Sequence, residues 1–171
     1  MSLRPLYAAV LLIPLLVGAA GAQGTDLTFG DGQATSDQPV EITADALDVN
    51  RDAGLATFTG NVVVTQGALR LTGATVNVVY GPGPDGQTDV QEVTAEGNVV
   101  LVNGEDAAEG ETALYTVATG LIVMTGDVLL TRPDSAMTGE KLTVHVDDGT
   151  GRMEGRVTVI FTPEGGAGDG G

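Results

Sequence analysis

The chain has 171 residues, no cysteine, no tryptophan and a formal net charge of −16. The missing cysteines exclude a disulfide-stapled fold and thiol chemistry. The acidity rules out nucleic acid, whose phosphates need a basic surface, disfavours docking to an anionic membrane face, and is read as a solubility device.

Residues 1–22 have the form of a secretory signal. Arg4 gives a positive start, Leu6 to Val17 an apolar stretch, and Ala20-Gly-Ala22 a small-residue cleavage site before Gln23. The apolar stretch is short for a membrane span, which needs about 20 residues, and Pro14 interrupts it. A retained anchor is the rival reading. Cleavage would leave 149 residues with a charge near −17, enough for one domain with its own core.

Residues 23–38 are polar and rich in Gly, Asp and Thr, and are expected to form a flexible leader. From Pro39 the text turns strand-like, and one domain is expected over residues 39–162. Val40, Ile42 and Ala44 alternate with polar residues, as do Leu47/Val49, Leu69/Leu71, Val76/Val78/Tyr80 and Leu142/Val144/Val146. Turn signals separate these runs at Asp52-Ala-Gly54, Gln66-Gly67, Asn103-Gly104 and Asp148-Gly149. Residues 163–171 carry no side chain worth burying and are expected to be a disordered Gly-rich tail.

A unit of 29 residues repeats four times through the domain. Its mark is Gly, a polar residue and a β-branched run: Gly60-Asn-Val-Val, Gly97-Asn-Val-Val, Gly126-Asp-Val-Leu and Gly155-Arg-Val-Thr, spaced 37, 29 and 29. A second series, Ala44, Gly73, Gly110 and Gly139, is spaced 29, 37 and 29. Both excesses of eight span the loop Gly81 to Thr88. Such units cannot bury an apolar face alone and must stack on their neighbours. A glycine within a strand marks a bulge or a bend, so one corner per glycine would fold the ladder into two facing sheets.

Reading across the copies gives apolar columns. Leu47, Val76, Ala113 and Leu142 form one, and Val49, Val78, Tyr115 and Val144 another. Ile42, Leu71, Ala108 and Met137 follow, as do Phe58, Ala95, Met124 and Met153. After the first glycine series come Val62, Val99, Val128 and Val157, then Val64, Leu101, Leu130 and Val159. Alternate residues of a strand share a face, so these columns line one interior.

Catalytic chemistry is hard to assemble from what remains. The one histidine, His145, lies between Val144 and Val146 and alternation turns it outward; after the signal only Ser36 and Ser135 remain as serines. A Ser-His-Asp arrangement is therefore not expected. The oxygen-rich stretches Asp85 to Asp89 and Asp147 to Gly151 are explained by turn formation better than by calcium. No enzyme activity, metal or cofactor is expected.

The run from Ile42 through Asp48, Gly60 and Asn61 to Gln66 resembles the OstA-like repeat of the periplasmic lipopolysaccharide-transport proteins of the LptA type. The likeness spans residues 39–162, with Asp127 and Arg156 standing where the first two copies have asparagine. It implies an all-β, repeat-built, twisted β-jellyroll of about sixteen short antiparallel strands, open at both ends. It further implies that the interior shelters lipid A acyl chains of lipopolysaccharide. The residues carried over for that role are Ile42, Leu47, Val49, Phe58, Val62, Val64, Leu71, Val76, Val78, Val99, Leu101, Met124, Val128, Leu130, Leu142, Val144, Val157 and Val159. The implied partners are an LptC-type inner-membrane protein, an LptD-type outer-membrane protein and further copies of the chain head to tail, all by edge-strand pairing. Periplasmic location follows from the same likeness and the signal. Two alternatives stay open: an anchored LptC-type component, and a structural β-solenoid without ligand. The acidity leaves a phosphate clamp without cations, so either divalent ions bridge the lipid head in solvent or the lipid carries fewer phosphates.

Overall fold

Val, Leu, Ile and Thr alternating with polar residues pack best on a pleated surface buried on one side, and nearly every such run here is a strand. A computed structural model describes residues 24–30, 38–83 and 85–162. The expected signal (1–22) and tail (163–171) lie outside them. In chain order the strands are β1 (Thr25–Thr28), β2 (Glu41–Thr43), β3 (Ala46–Asn50), β4 (Leu55–Gln66), β5 (Leu69–Pro82), β6 (Thr88–Asn103), β7 (Asp106–Thr116), β8 (Leu121–Thr131), β9 (Ser135–His145), β10 (Thr150–Glu154) and β11 (Thr158–Phe161). A single turn of 3-10 helix, Val117–Thr119, joins β7 to β8.

All pairings are antiparallel, in the order β1-β10-β9-β8-β7-β6-β5-β4-β2, with β11 also on β9 and β3 also on β4. Each of β4 to β9 bends near its middle, where the register shifts. β2 and β3 together make one more bent strand, interrupted at Ala44-Asp45, and β10 and β11 make another, interrupted at residues 155–157. Counted by halves these are the sixteen short strands of the expected jellyroll. The structure counts eleven because β4 to β9 run through their bends unbroken and β1 is added.

Every bend falls on one of the two glycine series, and the two series are glycine for different reasons. Gly60 has φ 78° and is followed by Asn61 at φ 46°; Gly97-Asn98 and Gly126-Asp127 repeat the pair of left-handed residues. Asn and Asp visit that region more readily than other side chains, for which it costs about 1–2 kcal/mol. The fourth copy puts Arg156 there, at φ 39°. The second series faces the first across the ladder, in the pairs Val62–Gly73, Val99–Gly110 and Val128–Gly139. Here space is what counts, and it tightens along the series. Ala44 carries a Cβ, and one on Gly73 would come no nearer than 3.4 Å to its neighbours. One on Gly110 would lie 3.2 Å from the Thr125 carbonyl, and one on Gly139 2.7 Å from Met153 Cγ and 3.0 Å from the Glu154 carbonyl.

The bends form one spine from which two walls rise. The first wall holds β1, β3, β10 and the halves of β4 to β9 near Phe58, Val76, Ala95, Ala113, Met124 and Leu142. The second holds β2, β11 and the halves near Val64, Leu71, Leu101, Ala108, Leu130 and Met137. Their inner faces make a single apolar core. The eight extra residues at 81–88 lengthen the β5–β6 hairpin, whose arms pair Gly81 and Pro82 with Asp89 and Thr88 after a second register shift between Val79 and Tyr80.

The leader needs correction. Within 23–38, Thr25–Thr28 form β1 on the free edge of β10, and Phe29 is completely buried. A short polar run gave no periodicity to read, yet an unpaired strand edge and one aromatic side chain suffice to order it. Residues 23 and 31–37 of that leader lie outside the described residues.

Candidate functional site: the interior between the walls

Cross-strand pairing turns the columns into continuous ladders. On the first wall Leu47, Phe58, Val76, Ala95, Ala113, Met124, Leu142 and Met153 oppose one another in turn across eight strands. On the second wall the row is Ile42, Val64, Leu71, Leu101, Ala108, Leu130, Met137 and Val159. At about 4.8 Å between strands each ladder is about 34 Å long. The glycine bends produce this alignment, because each adds its bulge at the same place in the repeat and keeps the inward face in phase on both sides.

The expected lining residues all belong to these inward rows but differ in exposure. Val62, Val64, Leu71, Val76, Val78, Val99, Leu101, Met124, Val128, Leu130, Leu142 and Val144 are buried. Ile42, Phe58, Val157 and Val159 are half-buried against them. Leu47 and Val49 are each 53% exposed: they sit on the edge strand β3, where the first wall has no strand beyond it. Phe161, at the other end, is 74% exposed.

Sequence reasoning missed a row. Ala56, Val93, Ile122 and Gly151 stand two residues before the Phe58 column and complete the Val49 ladder. Small residues in two of the four copies hid it. Phe29 was missed because nothing beside it is apolar except Leu27.

Where the walls face each other far from the spine, the filling is tight. The space among Val40, Val64, Leu69, Leu71, Leu101, Tyr115 and Ile122 is about 10 Å³, room for roughly one water. Here Tyr115 of the first wall donates its hydroxyl to Gln66 Oε1 of the second (2.8 Å), and Gln66 Nε2 donates to the Gln38 carbonyl (2.8 Å). Burial, with Asp147 adding to it, holds the Tyr115 phenol above its ordinary range, so it stays a donor. A second link uses the leader: Phe29 N donates to the Gly149 carbonyl (2.6 Å) and Gly30 N to Asp106 Oδ2 (2.8 Å), and Arg132 Nε meets Asp106 Oδ1 at 3.3 Å. From β2 to β11 the chain passes from one wall to the other along the spine.

Larger hollows lie along the spine and at the β5–β6 hairpin. One of about 520 Å³ follows the spine past Gly60, Asn61, Ala74 and Asn98; another of about 630 Å³ lies under the β5–β6 hairpin beside Val90 and Val117. Cations stay off the interior: Arg51, Arg70, Arg152 and Arg156 are exposed, and Arg132 and Lys141 are half-buried in ion pairs with Asp106, itself buried, and Glu154.

His145 is exposed and stands at the far end of β9 from Ser135, whose hydroxyl donates to Asp134. Asp148 accepts from Thr150 N and Oγ1, a turn that holds its carboxyl below the usual range. Among the described residues no group of three or more His, Asp or Glu could hold a metal ion.

Comparison with known proteins agrees with this architecture. The LptH crystal structure from Pseudomonas aeruginosa superposes with a TM-score of 0.65 at 22% identity, covering 75% of this chain and 98% of that one. The lipopolysaccharide export system protein LptA of Escherichia coli is 29% identical over 75% of this chain and 73% of its own. The corresponding LptH of Pseudomonas aeruginosa is 28% identical over 76% and 75%. An uncharacterized protein of Rhizobium meliloti is 30% identical over 88% and 85%. Residues 41–150 match the family described as LptA/(LptD N-terminal domain) LPS transport protein, and the chain belongs to that family.

Proposed function

We propose that the protein is a periplasmic lipid carrier that shelters lipopolysaccharide acyl chains between its two walls and forms part of a bridge from inner to outer membrane. The observation that carries this reading is the pair of unbroken apolar ladders, free of charge and open to solvent at Leu47, in a member of an LPS transport family. Removing an acyl chain from water is worth about 0.8 kcal/mol per methylene, so several chains supply ample affinity without an ion pair. Cations off the interior fit a lipid head left in solvent. Because the middle of the roll is filled, lipid enters by parting the walls at the side opposite the spine, where Tyr115–Gln66 and the Phe29–Gly30 link would open. No step of this needs catalysis, and energy for movement comes from outside the chain. Its neighbours in the bridge are an LptC-type protein, an LptD-type protein and further copies, joined edge to edge after removal of residues 1–22 by signal cleavage.

The tight packing favours one other reading, a structural β-solenoid whose interior never opens. Photo-crosslinking in cells separates the two. A benzophenone residue at Phe58, already aromatic and half-buried, or at Leu47 in the mouth should capture lipopolysaccharide, while outward Thr75 should not. A folded, exported protein that gives no adduct at either inward position is the solenoid.

A further inference from the structure

The strand β1 stands in a place the repeat reserves for something else. In the first copy, β3 lies on β4 with Leu47 opposite Phe58, Asp48 opposite Thr57 and Val49 opposite Ala56. Met153, Arg152 and Gly151 of β10 are the fourth-copy equivalents of Phe58, Thr57 and Ala56, since each set precedes its bend glycine by the same steps. On them lie Thr25, Asp26 and Leu27, running in the same direction. So β1 occupies the seat of a fifth repeat's first strand, and it reads like one: Asp26-Leu-Thr28 matches Asp48-Val-Asn50. The other strands at this place in the repeat put Asn77, Leu114 and Thr143 where these two have aspartate. Asp26 makes its carboxylate count, meeting Arg152 Nη1 at 2.9 Å.

We infer that β1 is a self-cap: the chain's own imitation of β3, holding the seat that β3 of a second copy takes when the roll is extended head to tail. The inference rests on the end-to-end assembly proposed above. Three features fit a cap that can leave. It is four residues long, its ion pair is exposed, and it covers only the first wall, β11 having no strand beyond it among the described residues. Its rival is ready-made, because Leu47 and Val49 of β3 are exposed with Asp48 between them to meet Arg152. Anchorage comes from Phe29 and the Gly30–Asp106 hydrogen bond. Displacing the cap would therefore also undo one of the links that close the walls, coupling assembly to opening.

The natural chain has no cysteine, so a disulfide can lock the cap without competition. Asp26 and Arg152 are directly opposed, a separation a disulfide spans. The full-length exported chain carrying Asp26→Cys and Arg152→Cys is compared oxidised and reduced by sedimentation over a range of concentrations. The oxidised form should need at least about tenfold more protein to assemble, since the competent population is removed. In the otherwise natural chain, Leu27→Asp, a change confined to the cap, should lower the threshold. If oxidised and reduced forms assemble alike, the cap is wrong and end-to-end assembly stands. If the reduced form and Leu27→Asp both remain folded monomers at every concentration, the assembly reading falls and takes the cap with it.

Discussion

The middle of the roll and its two ends are built from the same repeat but do different physical work. Leu101 and Leu130 are fully buried, with a strand on either side and the opposite wall before them. Leu47, from an inward row of the same kind, is half exposed because β3 ends the sheet. The ends also differ from each other. Among the described residues the first is bare on both walls, while the last has β1 on one wall and an open edge on the other. Equivalence in sequence therefore does not give equivalence in environment. A stack of identical units has a stable centre and reactive ends, and that is where partners add.

A charge in the middle should break the comparison most severely. Val144→Glu buries an unpaired carboxylate and should cost about 3–5 kcal/mol or prevent folding, read by thermal melting and recovery from the periplasm. Thr75→Glu, facing outward opposite Glu96, should stay within about 1 kcal/mol. Truncation sharpens the contrast between centre and mouth. Leu130→Ala should lose about 2–5 kcal/mol, whereas Leu47→Ala should lose about 0.5 kcal/mol or less from the isolated chain and show its effect in assembly.

The spine gives smaller effects of predictable sign. Gly97→Ala forces a side chain to φ 80° and should cost at least about 1–2 kcal/mol. Arg156→Asn should gain a few tenths to about 1 kcal/mol, because relief of the left-handed conformation outweighs an exposed pair with Glu140. The smallest effect concerns pH. A hydrogen bond from Lys141 holds the Glu154 carboxyl below its ordinary range. That contribution is present above the unfolded pKa and is lost as pH falls through the folded one. Lys141→Met should therefore lower the melting temperature slightly at neutral pH, leave it almost unchanged once the carboxyl is protonated, and so flatten the acid limb of the stability curve.

Much of the architecture was legible because the repeat is strict. Val62, Val99, Val128 and Val157 follow their glycines at one spacing, and strand geometry then dictates that they share a face. The columns carried most of the interior but not the row through Ala56 and Gly151, where small side chains broke the pattern, nor Phe29, Leu69 and Val146. The leader was illegible for a different reason. Thr25 to Phe29 have no periodicity of their own, and their order comes from the unpaired edge of β10 and the hollow that Phe29 fills. Buried Gln66 and Asp106 were equally hidden, since each is polar and matters only through a partner on another strand.

By itself, then, the sequence determined the strand content, the bends and the inward face, all of which depend on local spacing and on the backbone freedom of glycine. The tertiary structure decided how far the interior is filled, which edges are free and where β1 goes. Those depend on contacts between residues as distant as Asp26 and Arg152, which no local pattern encodes.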